Sequence, residues 1–182
     1  MVEMSIYGVS FDLVGKQPIV LLKTAEGNRY LPIWIGHSEA AAILMKLQGA
    51  TAPRPLTHDL LVNMLGELDV DVVRVTVTEL RENTFHASIT IAQNGAEVEI
   101  DSRSSDAIAI AVRAQAPIFA ADEVIEESAI EMEGDEVNEE EIVDEFKRFL
   151  DKVSAEDFVE AEVEGDVEDA EAEPDEDDDR DR

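Results

Sequence analysis

The sequence predicts an α+β domain with a mixed, largely antiparallel sheet of about six to seven strands and three helices, followed by an acidic extension. Apolar residues at every second position indicate the strands, and apolar residues at every third or fourth position indicate the helices. The charge divides the chain, because residues 1–121 contain 14 acidic and 9 basic side chains whereas residues 122–182 contain 30 and 5. We therefore expect a domain over residues 1–130, an acidic linker and amphipathic helix over residues 131–159, and a disordered acidic tail over residues 160–182.

Three strands are predicted to open the domain as an antiparallel meander. The apolar face of the first strand switches near Gly8, which predicts a β-bulge there. Turn residues separate it from strands over residues 19–22 and 30–35. Pro32 has no backbone N–H to donate, so we expect an edge or a bulge in the third strand.

Two helices are predicted next. Ser38 is the expected N-cap of the first helix, and Gly49 is expected to end it. Thr57 is the expected N-cap of the second helix. The second helix has one apolar stripe at helical spacing, which is typical of a helix that packs on a core. The stripe comprises Leu60, Leu61, Met64, Leu65 and Leu68.

The second half of the domain is predicted to combine a hairpin with a buried helix. Strands are expected before and after Asn94-Gly95, which is a strong hairpin-turn signal. A third helix that begins at Ser104 or Ser105 is apolar almost all round and should be buried. A short strand is expected at residues 117–120.

The acidic extension is not uniform. Residues 138–153 begin with an asparagine that suits an N-cap and carry apolar residues at helical spacing, which predicts an amphipathic helix. The apolar face of that helix must be buried, either on this domain or by a protein partner. Beyond Val159 the sequence is acidic and contains no aromatic residue, so we expect disorder there.

Composition excludes several kinds of site. The chain has no cysteine, and therefore neither a disulfide framework nor a thiolate metal site. It has no glycine-rich phosphate loop and no GxSxG, HExxH or CxxC motif, and we expect no organic cofactor. No apolar run reaches about 18 residues and the N-terminus lacks signal-peptide character, so we expect a cytoplasmic protein without a membrane span.

A polar strand-to-helix junction is the first candidate site. Asp101 and Asp106 could together hold a divalent cation such as magnesium or manganese, because hard cations select oxygen ligands. Arg103 could bind a phosphate or a carboxylate in front of the helix N-terminus. The alternative is structural: Ser104 or Ser105 caps the helix, Asp106 stabilises its dipole, and Asp101 pairs with Arg103.

Two further junctions carry polar side chains. Arg54, His58 and Asp59 lie where a loop enters the second helix, and a histidine there can act as a general base. The alternative is a capping motif with a surface histidine. Glu39 lies in the first turn of the first helix, where an acid also stabilises the helix dipole. His37, in the preceding turn, is expected to be solvated.

Three segments are distinctive in their residue identities, order and spacing: residues 31–40, 54–60 and 101–119. Together they resemble the bifunctional nuclease domain family, bacterial and plant proteins of mixed α+β fold. The family's junction motif usually reads Asp-Ala-Arg-Pro-Ser-Asp-Ala, and Ser102 and Ser104 replace its alanine and proline here. The resemblance covers the whole predicted domain.

The resemblance implies cleavage of DNA and RNA, because the family is named after members credited with cutting both. A metal ion would activate water, an arginine would stabilise the charge on phosphorus, and a histidine would move protons. The residues assigned to catalysis are His58, Asp59, Asp101, Arg103 and Asp106, with Asp101 and Asp106 as metal ligands. The residues assigned to substrate binding are Glu39, Arg54 and Ser105.

A non-enzymatic binding or regulatory module is the alternative function. The polar junctions would then form an oligomer interface or a small-anion pocket, and the helix at residues 138–153 would dock a protein partner. An edge strand in the meander also favours a homodimer. The net charge of −30 repels nucleic acid, so a nuclease would be weak, salt-sensitive and more active without its tail.

Overall fold

The computed structural model describes residues 1–12 and 17–131 of the chain. The strands are β1 (Val2–Asp12), β2 (Gln17–Thr24), β3 (Arg29–Trp34), β4 (Asp71–Arg81), β5 (Thr84–Gln93), β6 (Ala96–Arg103), β7 (Ile118–Ala120) and β8 (Ile130–Glu131). The helices are α1 (His37–Leu47), α2 (Thr57–Glu67), α3 (Ser104–Ala114) and α4 (Asp122–Ser128).

All eight strands belong to one sheet of order β6-β5-β4-β7-β1-β2-β3-β8. Neighbouring strands are antiparallel except for β4 and β7, which are parallel. The short strand β7 therefore joins two antiparallel meanders, β1 to β3 and β4 to β6, into a single sheet. The predicted α+β class with a mixed, largely antiparallel sheet is confirmed.

Two elements of the described residues, helix α4 and strand β8, were not predicted from the sequence. Helix α4 has seven residues of which four are acidic, so the acidic composition concealed it. Strand β8 has two residues and pairs only with Arg29 and Tyr30 of β3, which is too short to produce a periodic pattern. Because β8 stops there, the outer edge of β3 beside Pro32 has no strand partner among the described residues, as the proline predicted.

The predicted bulge in β1, the hairpin turn at Asn94-Gly95 and the buried third helix are all observed. The β1–β2 register shifts between Ile6 and Gly8, which confirms the predicted bulge. Asn94 and Gly95 both have positive φ, at 52° and 82°, as a two-residue hairpin turn of type I′ requires. Helix α3 is buried over its first two turns, apart from half-buried Asp106, and packs against α1, α2 and the sheet.

The two predicted N-caps are each wrong by one or two residues. Gly36 precedes α1 in extended conformation, so Ser38 already lies inside the helix. Leu56 precedes α2, and its N–H donates to Asp59 Oδ2 at 2.9 Å, so Thr57 is the first helical residue. In neither helix does the N-cap side chain supply a hydrogen bond, because the chain enters through Gly36 and Leu56.

Most of the apolar stripe on α2 is exposed, contrary to the expectation for a core-facing helix. No residue of α2 is buried, and the helix contacts α3 along one side only. The exposed members are Leu60, Leu61, Met64 and Leu68. The helix thus carries polar first-turn residues toward α3 while its apolar stripe stays outside the core.

Apart from residue 131, which ends β8, the predicted linker, the amphipathic helix at residues 138–153 and the acidic tail lie outside the described residues. Within the described part of the chain, no helix is long and apolar enough to cross a membrane.

Candidate functional site

Arg103 connects two carboxylates from different helices. It is the N-cap residue of α3, and its Nε donates to Asp106 Oδ2 at 2.7 Å within the same helix. Its Nη2 lies 3.0 Å from Oε1 of Glu39, which belongs to the first turn of α1. The Arg103 side chain is nevertheless 67% exposed, so part of its guanidinium faces solvent. Arg103 pairs with Asp106 and Glu39, and Asp101 is not its partner, in contrast to the structural alternative.

His58 completes this group from the first turn of α2. Its Nε2 lies 3.0 Å from Asp106 Oδ1, and the histidine side chain is 14% exposed. Partial burial alone would raise the pKa of Asp106, but hydrogen bonds from Arg103 and His58 outweigh it and hold that pKa below its ordinary value. Asp106 is therefore a carboxylate at neutral pH. We call Glu39, His58, Arg103 and Asp106 the Arg103 cluster.

Three helix N-termini meet around this cluster. A depression of about 350 Å³ is lined by residues at the starts of α1, α2 and α3. Free backbone N–H groups and the positive ends of the helix dipoles converge there, which favours an anion. The Arg103 side chain lies on the same wall together with its partners Glu39 and Asp106, so the depression combines helix dipoles and a cation with two carboxylates.

A second ion pair fixes α2 beside α3. Arg113 donates from Nε to Asp59 Oδ1 at 2.6 Å and is almost fully buried. Burial would raise the pKa of Asp59, whereas the Leu56 N–H and the Arg113 guanidinium lower it, and the net shift is downward. Asp59 therefore holds the helix entrance and the buried arginine together, one residue after His58.

Not every sequence-predicted residue joins the cluster. Asp101 is exposed on β6 opposite Ser88, and among the described residues no hydrogen bond or ion pair links it to Asp106. Arg54 is exposed and lines a neighbouring depression of about 280 Å³ together with Asp59. Ser105 is buried in the first turn of α3.

Two residues near the cluster were not predicted as functional from the sequence. Arg113 was not singled out, and Trp34 was considered only as part of the segment that leads into α1. Arg113 is a cation near the end of the almost wholly apolar helix α3, and this was the signal for a buried ion pair. Trp34 is 52% exposed at the end of β3, between the buried residues Ile33 and Ile35, as the alternation of a strand implies; a role for its large apolar side chain was what the sequence did not indicate.

A divalent cation was predicted at Asp101 and Asp106. Over residues 1–12 and 17–131, no group of three or more histidine, aspartate and glutamate side chains is arranged to hold a metal. The two carboxylates that do converge, Glu39 and Asp106, are linked by the Arg103 guanidinium. The donor set therefore suits a bound arginine better than a metal, and the metal site stays a prediction.

The model of the bifunctional nuclease domain matches residues 20–133. The chain belongs to the bifunctional nuclease domain family. The match includes every member of the Arg103 cluster as well as Trp34 and Arg113, so the site described above lies wholly inside the bifunctional nuclease domain.

Relatives of this bifunctional nuclease domain chain occur in bacteria and plants. An uncharacterized protein of Mycobacterium tuberculosis is 41% identical over 163 residues, which are 86% of this chain and 97% of that protein. Bifunctional nuclease 1 of Oryza sativa subsp. indica is 29% identical over 103 residues, 54% of this chain and 31% of the rice protein. Bifunctional nuclease 2 of Oryza sativa subsp. japonica is 26% identical over 106 residues, 56% of this chain and 33% of the rice protein.

Proposed function

We propose that this bifunctional nuclease domain hydrolyses phosphodiester bonds of nucleic acid in the depression at the Arg103 cluster. The observation that carries the proposal is an exposed arginine beside a histidine–aspartate pair, where three helix N-termini meet. Arginine binds phosphate through a planar fork, and a histidine held by a carboxylate transfers protons near neutral pH. The plant relatives named bifunctional nucleases support the same chemistry.

In the proposed reaction, a water oxygen forms a bond to phosphorus and the bond from phosphorus to the leaving oxygen breaks. His58 accepts a proton from the water, and the leaving oxygen takes a proton from solvent. Asp106 accepts a hydrogen bond from His58 Nε2, which leaves Nδ1 to accept that proton. Arg103 and the helix N-termini stabilise the additional negative charge on the phosphoryl oxygens.

A cleavage assay with the full-length protein tests the proposal. Labelled single-stranded RNA and DNA are incubated with magnesium, manganese or chelator, and initial rates are compared for wild type and His58→Asn. Loss of the general base is expected to lower the rate about 100- to 1,000-fold. Wild-type cleavage by His58→Asn would exclude His58 as the base and point to a contaminating nuclease.

The same assay examines the predicted cation. If the chelator abolishes cleavage, Asp101→Asn and Asp106→Asn are compared at increasing magnesium concentration. A ligand to the metal shifts the magnesium dependence, whereas a residue that only orients His58 lowers the rate at every concentration.

Gly36→Ala is expected to lower cleavage about 3- to 30-fold with little effect on stability. The backbone of Gly36, with φ of −73°, accepts alanine, but a Cβ at this position would collide with the Glu39 carboxylate. Glu39 must then move and release Arg103. Rates and denaturant midpoints are measured together.

Gly66→Ala is the matched control, because a Cβ there meets no atom within 4 Å. Alanine in this exposed part of α2 should raise stability by about 0.5–1 kcal/mol and leave cleavage unchanged. Equal rates for Gly36→Ala and wild type would show that the Glu39 contact to Arg103 is dispensable.

Three expectations about partners and location stay predictions: a homodimer, a protein partner for residues 138–153, and a cytoplasmic location. The exposed apolar stripe of α2 supports a binding surface on the domain. Light scattering of the full-length protein would test the homodimer directly.

A further inference from the structure

Trp34 is the single tryptophan of the chain and ends strand β3. The residue is about half exposed, whereas the next residue, Ile35, points to the opposite face and is buried. An exposed tryptophan face is available for stacking, which few other side chains offer. Its neighbours determine what it can stack against.

Trp34 lies along a path that begins at the Arg103 cluster. Arg103 lines both the depression that contains His58 and an adjoining one of about 280 Å³. Trp34 lines this second depression, with Phe85 on β5, and also a third of about 610 Å³ that extends to Ile130. The three depressions share wall residues, so a flexible strand that contacts Arg103 can continue past Trp34.

The chemistry of the path changes along its length. The end near Arg103 is charged, whereas the end near Trp34 is lined by the apolar side chains of Phe85, Leu80 and Pro32. A nucleic acid strand has the same division, because its phosphates are charged and its base faces are apolar. Proteins that bind single strands combine a cationic track with aromatic platforms in this way.

We propose that Trp34 is a stacking platform for an unpaired base of a single-stranded nucleic acid whose phosphate contacts Arg103. This inference rests on the proposed function, since it places the substrate strand of that same site. A base inside a duplex has both faces covered by its neighbours and cannot stack on Trp34 unless it is flipped out. The domain therefore prefers single-stranded over double-stranded substrates.

Tryptophan fluorescence tests the inference without any cleavage. Because Trp34 is the only tryptophan, its emission reports on this position alone. Full-length protein is titrated in chelator with a ten-nucleotide oligothymidylate, with an abasic oligomer of equal length, and with a duplex. Saturable quenching is expected for the oligothymidylate, and at least about fivefold weaker quenching for the abasic and duplex probes.

Anisotropy of a labelled oligothymidylate provides a second measurement. Trp34→Ala is expected to weaken its binding about 5- to 100-fold, and Trp34→Phe less, because phenylalanine keeps an aromatic face. Val98→Ala is the matched control, since it removes an exposed apolar side chain of β6 that lines none of the three depressions and should bind as wild type does. Circular dichroism establishes that each variant is folded.

The outcomes separate this inference from the proposed nuclease activity. Base-dependent quenching supports the stacking platform even if no cleavage is detected, and in that case only the hydrolysis is wrong. Equal quenching by the abasic probe, unchanged binding by Trp34→Ala, or no binding at all would overturn the platform. A concentration-dependent emission change without any oligonucleotide would overturn it too, because Trp34 would then be covered by a second copy.

Discussion

Replacing Arg103 with methionine is expected to lower kcat/KM for a single-stranded RNA about 100- to 1,000-fold. Methionine keeps much of the aliphatic length but removes the cation that faces the depression between the three helix N-termini. The phosphoryl oxygens gain negative charge as the attacking water bonds to phosphorus, so this cation acts most strongly in the transition state. Initial rates at substrate concentrations well below KM measure the loss.

Arg74→Met is the matched control for this substitution. Arg74 also contacts two carboxylates, those of Glu97 and Glu99, but lies at the opposite end of β4 from the cluster. Its loss should leave kcat/KM unchanged. Arg103→Lys should recover only part of the activity, because an ammonium keeps the charge without the planar fork that reaches two acceptors at once.

Measuring the free energy of unfolding shows whether a variant loses activity because catalysis is impaired or because less of the protein is folded. The Arg103 side chain is 67% exposed, so Arg103→Met should unfold within about 1 kcal/mol of wild type. The Arg74 side chain is 28% exposed, so the free energy of unfolding of Arg74→Met is measured beside it. If Arg103→Met and Arg74→Met lost equal activity, the charge of the domain as a whole would explain the result and the site would be wrong. A pronounced loss confined to Arg103→Met supports the proposed site.

The parts of the fold that were predictable depend on local chemistry. The bulge at Gly8, the turn at Asn94-Gly95 and the start of α3 at Ser104 each follow from a few adjacent residues. The burial of α3 follows from its composition. By contrast, the exposed stripe of α2 depends on which side of the helix meets α3, and no local pattern contains that information.

The members of the Arg103 cluster were predictable one at a time, as polar residues at three helix entrances. Their convergence was not, because His58 and Asp106 are 48 positions apart and meet only when α2 packs on α3. The predicted pairing of Asp101 with Asp106 is not observed, although the two residues are close in sequence. Asp101 lies on strand β6 and Asp106 in the first turn of α3, so the change from strand to helix at Ser104 separates their side chains.

Arg113→Leu is expected to lower the free energy of unfolding by about 2–4 kcal/mol. Arg113 is only 4% exposed and donates to Asp59 on α2, to the Ala109 carbonyl on α3 and to the Ala42 carbonyl on α1. Leucine fills a similar volume but leaves the Asp59 carboxylate and the Ala42 carbonyl without this donor. Urea unfolding at neutral pH measures the change.

The double variant Arg113→Leu with Asp59→Leu distinguishes the stabilisation that the ion pair provides from the destabilisation that an unpaired Asp59 carboxylate causes. Removing both charges should recover part of the lost stability, because no carboxylate is then left unpaired beside the buried position 113, although Asp59 itself is 34% exposed. Cleavage should not recover with it, because Asp59 accepts the Leu56 N–H and fixes the helix entrance that carries His58. A single Arg113→Leu variant within about 0.5 kcal/mol of wild type would mean that the three helices are held by apolar packing alone, and the position of His58 would then need another explanation.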